Sequence, residues 1–178
     1  MDFLLLVTIF FLTIIIFLTY FFIKINQKLK KTSEKLKIEN HILKQYKNAI
    51  DESNIVSIGD LKGNIIYVND KFCEVTLYTR EEILNKPHNL LKGENTKEVF
   101  TNLWETIRSK KVWHGVLKNK KKNGEFYYVN STIMPILDEN NEIFEYIAIR
   151  HEITELIHKS NELEKNLRED LLTKKGNK

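Results

Sequence analysis

The sequence predicts an α+β domain of five antiparallel strands with helices across one face, carried behind one transmembrane helix and a coiled-coil linker. Three observations lead there. Phe3–Ile23 is an uncharged run of 21 residues. From Lys24 to Ile50 the chain has neither Gly nor Pro and repeats apolar residues every seven positions. From Ile55 the period shifts to short β-branched runs, two before and three after a group of helical segments.

The first run holds only three Thr and one Tyr among Leu, Ile, Phe and Val, and as a helix it reaches roughly 31 Å, enough to span a bilayer. A cleaved signal peptide fits worse. The residue ahead of the run is Asp2, not Lys or Arg, the apolar stretch is too long, and no small-x-small cleavage site follows. Residues 3–23 therefore read as a single-pass anchor in the cytoplasmic membrane. The lysines that follow place the C-terminal part in the cytoplasm and the short N-terminus outside.

Residues 24–50 hold eight Lys against Glu34 and Glu39, net +6, although the whole chain carries only +4. Such charge beside a membrane, without interleaved aromatics, suits anionic lipid headgroups, and no nucleic-acid partner is expected. Cys73 is the only cysteine, which rules out an internal disulfide and fits a reducing compartment. In the same stretch Leu29, Leu36, Leu43 and Ile50 stand seven apart, with Ile25 and Tyr46 on the neighbouring seam. That spacing predicts a parallel two-stranded coiled coil and hence a homodimer. Thr32 and Glu39 in the companion positions keep open a single amphipathic helix on the membrane or on its own domain.

The next elements follow from local chemistry. Ile55–Ile58 and Ile65–Val68 flank Asp60-Leu61-Lys62-Gly63-Asn64 as a hairpin. Asn69-Asp70 caps a short helix carrying Phe72 and Val75, and Thr79 with Glu81-Glu82 starts a second. The helix of Thr96–Ser109 buries Val99, Phe100, Leu103, Trp104 and Ile107. Strands Trp113–Lys121, Phe126–Ile136 and Phe144–His151 close the domain around the Asn123-Gly124 turn and the polar loop Asp138–Asn141. A small ligand would lie between sheet and helices.

These residues resemble the PAS sensor domains over Asn54–Glu155. The resemblance lies in Asp60–Phe72, Tyr78–Leu84, Leu103-Trp104, Trp113-His114-Gly115, Lys122–Glu125 and Ile153-Thr154-Glu155. Within the family the look is nearest to flavin-binding redox sensors such as the nitrogen-fixation regulator and the aerotaxis receptor. Domain limits follow as 3–23 for the transmembrane helix, 24–50 for the linker, 51–155 for the PAS domain and 156–178 for a C-terminal signalling helix.

Trp113, Gly115, Leu117 and Asn119 share one strand face. Turned inward, they make an apolar slot with one amide that can both donate and accept at a flavin ring edge. The resemblance implies a cofactor site of Trp104, Trp113 and Asn119, and extends it to His88 and Asn89 through Lys86-Pro87-His88-Asn89, with FAD as the ligand. The bland alternative makes both tryptophans core residues. A third reading has His88 ligating haem. The sequence departs from its relatives at Leu91-Lys92-Gly93-Glu94, and Asn85 and Leu77 stand where Gly is usual; Asn tolerates positive φ. Light-sensing relatives form a covalent adduct from a cysteine that aligns with His88, so that photochemistry is not expected.

The other histidines are scattered without metal-ligand spacing, and no catalytic constellation stands out, so the chain is not expected to be an enzyme. Ile153, Leu156, Ser160, Leu163 and Leu167 form a second heptad seam that would pass a signal to a downstream protein. The last residues, Asp170–Lys178, resemble the opening of diguanylate cyclase domains, or else form a basic tail. Three functions remain in view: a redox or small-ligand sensor, a ligand-free dimerisation module, and the input half of a sensor cyclase.

Overall fold

The structure, a computed structural model, describes residues 3–176, with side chains given except for Leu4 and residues 171–176. Most of the cyclase-like end, residues 171–178, thus has no described side chains. The chain divides after Asn48 into two units. Helix α1 runs Phe3–Ser53 without a break, as expected of a stretch free of Gly and Pro. It is the one helix, among the described residues, long and apolar enough to cross a membrane. Its heptad residues Leu29, Leu36 and Leu43 are all exposed.

The second unit holds the hairpin β1 (Ile55–Gly59) and β2 (Ile65–Val68), then α2 (Asp70–Thr76), α3 (Arg80–Ile83), a 3-10 turn (His88–Leu91) and α4 (Lys97–Arg108). Strands β3 (Trp113–Lys120), β4 (Phe126–Leu137) and β5 (Ile143–Glu152) follow, and α5 (Thr154–Gly176) ends the described chain. All pairings are antiparallel. The order across the sheet is β2-β1-β5-β4-β3, so the N-terminal hairpin joins the C-terminal meander through β1 and β5.

The core fills the space between sheet and helices: Ile55, Val129, Ile133, Tyr127 and Leu117 from the strands meet Phe72, Ile83, Leu91, Leu103 and Ile107. Asn69 organises one corner. Its Oδ1 caps α2 through the Phe72 N–H at 3.0 Å and also accepts from the Val56 N–H at 2.9 Å. Its Nδ2 donates to the carbonyls of Asp51 and Asn54 at 2.8 and 2.7 Å. One buried amide thereby ties the last turn of α1 to β1 and α2. Thr79 and Glu82 form a capping box at α3. Leu77 and Asn85, the two positions where the resemblance led Gly to be expected, both adopt left-handed backbone, φ 64° and 62°.

The segment between α3 and α4 works as a strap across the inner face. At one end it meets the hairpin, with the Ile65 N–H donating to the Lys86 carbonyl and the Asn85 N–H to the Ile65 carbonyl, both 2.8 Å. At the other end the Asn95 amide replaces a missing strand neighbour for the edge strand β3. It accepts from the Lys118 N–H at 2.8 Å and donates to the Lys118 carbonyl at 2.6 Å. Gly93 passes so close that a Cβ there would collide with the Lys118 carbonyl.

Candidate functional site

Beneath the strap lies a cavity of about 500 Å³, within the range of small-molecule sites. Its walls come from the 3-10 turn (His88, Asn89, Leu91), from α4 (Phe100, Leu103, Trp104, Ile107) and from the sheet (Leu117, Asn119, Ile133, Tyr146, Ala148, Arg150). Four of the five residues named from the sequence, Trp104, Asn119, His88 and Asn89, line it.

Trp104 stands edge-on to Tyr146, ring centroids 5.7 Å apart, and the Arg108 guanidinium lies over the Trp104 ring at 5.0 Å. Gly63, at φ 85°, is what lets the hairpin turn pass against that ring, since a Cβ there would meet it at 3.0 Å. Asn119 is buried, and the side-chain hydrogen bond it makes among the described residues is a long one, 3.5 Å, to the Tyr127 hydroxyl. Its amide is open toward the cavity.

Trp113 lies elsewhere. Its ring folds over Gly115, where any Cβ would strike it, and its indole N–H donates to Asn102 Oδ1 of α4 at 2.9 Å. It is buried and absent from the cavity wall. The slot read from four alternating residues of β3 therefore reduces to Leu117 and Asn119. The missing side chain of Gly115 leaves room for Trp113 to turn along the sheet instead of into the cavity.

His88 is held at both ring nitrogens: one bonds Ser57 Oγ at 2.9 Å through Nε2 and the other the Gly63 carbonyl at 3.1 Å through Nδ1. Arg150 Nη1 donates to the same Ser57 Oγ at 2.7 Å. The hydrogens follow from the network. The Gly63 carbonyl can only accept, so Nδ1 carries the hydrogen; in the neutral ring Nε2 then accepts from the Ser57 hydroxyl, which itself accepts from Arg150. Burial, and after it the Arg150 charge, lower the His88 pKa to about 4. With neither nitrogen free, His88 does not fit the role of a haem ligand.

Sequence reading passed over Ser57 and Arg150. The signal was present: Tyr146, Ala148 and Arg150 alternate along β5, so an arginine stands at core parity. Arg150 is 6% exposed. None of the ion pairs among the described residues includes it, and its Nε has no hydrogen-bond partner. The wall also carries Lys62, Lys92, Lys97 and Arg108 and contains no Asp or Glu.

Residues 53–155 match the family described as PAS domain. The chain belongs to the PAS domain family. This PAS chain is 31% identical over 116 residues to the aerotaxis receptor of Escherichia coli, a match covering 65% of the chain and 23% of the receptor. To the nitrogen fixation regulatory protein of Klebsiella oxytoca it is 33% identical over 100 residues, 56% of the chain and 20% of that protein. The chain thus spans about a fifth of the length of these relatives. A crystal structure of a PAS domain from Colwellia psychrerythraea superposes with TM-score 0.54 at 25% identity, covering 64% of this chain and 98% of that one. The strap, α4 and the five-stranded sheet are the parts of the PAS fold that enclose the cavity.

Proposed function

We propose that the chain is a membrane-anchored cytoplasmic PAS sensor whose cavity holds a flavin and whose helices relay the flavin's redox state to a dimer partner or downstream protein. The observation that carries this reading is the cavity wall itself: an aromatic pair, Trp104 and Tyr146, an open buried amide at Asn119, and an unpaired buried guanidinium. A bound flavin supplies a reversible redox centre. For it, Asn119 would both donate and accept at the ring edge, while Leu117, Ile133 and Leu103 would exclude water. Lys62, Lys92, Lys97 and Arg108 suit the phosphates of FAD or FMN. The relatives named for aerotaxis and nitrogen fixation regulation support the same reading.

Anchoring rests on Phe3–Ile23 and the lysines behind it, and dimerisation on the exposed seams Leu29, Leu36, Leu43 and Leu156, Leu163, Leu167. The test is the visible spectrum of the full chain purified in detergent, oxidised and after dithionite. A flavin band that bleaches is expected. A colourless, folded protein that takes up neither FAD nor FMN would overturn the flavin reading and leave a dimerisation module.

A further inference from the structure

A guanidinium cannot shed its proton to relieve burial, and an unpaired buried charge is among the most unfavourable features a core can hold. Arg150 is such a charge, its affinity for its proton already lowered by burial. Ser57 supplies one neutral acceptor. The nearest titratable influences are the phenol of Tyr127 and the neutral ring of His88. The buried side-chain atoms without a partner, among the described residues, are Arg150 Nε and Ser131 Oγ. These two residues face each other across β4 and β5, and the row continues to Gly115 on β3. Small residues thus flank the arginine on its β4 side, opposite Ile55 of β1, and the guanidinium lines the cavity.

We infer that Arg150 is the inner anchor of the cavity's ligand, offering the part of its guanidinium that lines the cavity, and a fixed positive charge, to an acceptor edge that is anionic or becomes so on reduction. The inference rests on the flavin reading for the ligand's identity. A ring system with carbonyl acceptors along one edge meets both the charge and the guanidinium donors on the cavity side; Nε is sealed from the cavity and takes no part in the contact. Reduction, which adds electrons to that edge, strengthens the contact. Arg150 is then a binding residue that also raises the cofactor's reduction potential, and the cavity discriminates against flat apolar ligands without an acceptor edge.

The experiment uses the full chain in detergent, flavin-loaded and flavin-stripped, as wild type, Arg150→Met and Arg150→Lys. Three quantities are read: FAD and FMN affinity by fluorescence quenching, midpoint potential, and melting temperature without ligand. Losing one charge-assisted hydrogen bond is expected to weaken flavin binding on the order of 10–100-fold in R150M. R150K should recover part of that. If reduced flavin loses tenfold more affinity than oxidised flavin, the midpoint falls by about 30 mV for a two-electron couple. Without ligand, R150M should melt at or above wild type, because the buried charge has gone. Wild-type binding of flavin with unchanged affinity and potential in R150M would overturn the role of Arg150 while leaving the flavin reading intact. If wild type binds no flavin, the flavin reading fails and the stripped proteins decide: R150M melting below wild type overturns the anchor as well, and R150M melting above it keeps the anchor for another anionic ligand.

Discussion

Lowering the pH through the histidine range should unfold the PAS domain in proportion to the protons His88 refuses. In the unfolded chain His88 titrates near its ordinary value of 6.5, and in the folded domain at about 4. Above about pH 6.5 the ring is neutral in both states and adds no pH dependence. Between 6.5 and 4 the unfolded chain takes a proton that the folded one does not, so stability falls as pH falls, by about 1.4 kcal/mol per unit. The full loss is about 3 kcal/mol, reached below pH 4. The groups facing the ring set the sign: burial dominates, the Arg150 charge adds to it, and the Gly63 carbonyl and Asp60 oppose it. Protonating Nε2 would put two donors, Arg150 and His88, on the one Ser57 oxygen. The assay is urea unfolding of the full chain in detergent by tryptophan fluorescence. Both tryptophans, Trp104 and Trp113, lie in the PAS domain, so the membrane helix is silent. His88→Gln provides the reference, and subtracting its curve removes the other histidines. A difference that stays flat between pH 7 and 4.5, or a His88 ring resonance that titrates near 6.5, would refute the reasoning.

Two further outcomes follow from the packing. Asn69→Ala removes four hydrogen bonds at a residue 3% exposed and strands backbone groups of β1 and α1, so it should cost about 3 kcal/mol or more in urea unfolding; a loss below about 1 kcal/mol, the value of a helix cap alone, would mean the corner does not depend on it. Leu77→Gly relieves a left-handed leucine that is 47% exposed and should gain roughly 0.5 kcal/mol after the entropy of glycine is counted, whereas Leu77→Ala should gain nothing; equal melting temperatures for the two would sink that account.

What was legible in the sequence was whatever local chemistry decides. The hairpin turn at Asp60–Asn64, the caps at Asn69 and Thr79 and the apolar face of α4 each follow from residues within a few positions of one another, whereas the left-handed Asn85 followed from the resemblance. The adjacency of β1 and β5 was not legible, because Ser57 and Ala148 pair across 90 intervening residues and alternation alone fixes faces without fixing neighbours. Trp113 shows a second limit. Period two placed it correctly on the inner face, yet its direction along that face was set by the absent side chain of Gly115 and by Asn102 on another element. Asn69 was legible as a cap, but its second function, holding Val56 and the end of α1, needed the fold.

The same non-local pairing gives the cavity its leverage. Arg150 and Ser57 are bonded across the neighbouring strands β5 and β1, and those are the strands joined to the two long helices. β1 starts two residues after α1 ends, with Val56 tied through Asn69 to the Asp51 carbonyl. β5 ends two residues before α5 begins, where Thr154 Oγ1 accepts from the Tyr128 N–H and donates to Glu152. A group that pulls on the Arg150 guanidinium therefore acts on a side-chain bond that bridges the strands of entry and exit. Leu117 and Asn119, on the far edge strand β3, have no such position. Contact at Asn119 can fix what binds, whereas contact at Arg150 can alter how β1 and β5 meet, and with them the attachment of α1 and α5. In a sheet of order β2-β1-β5-β4-β3 the β1–β5 pair is the shortest route from the proposed ligand to both helices, and the buried arginine stands on it.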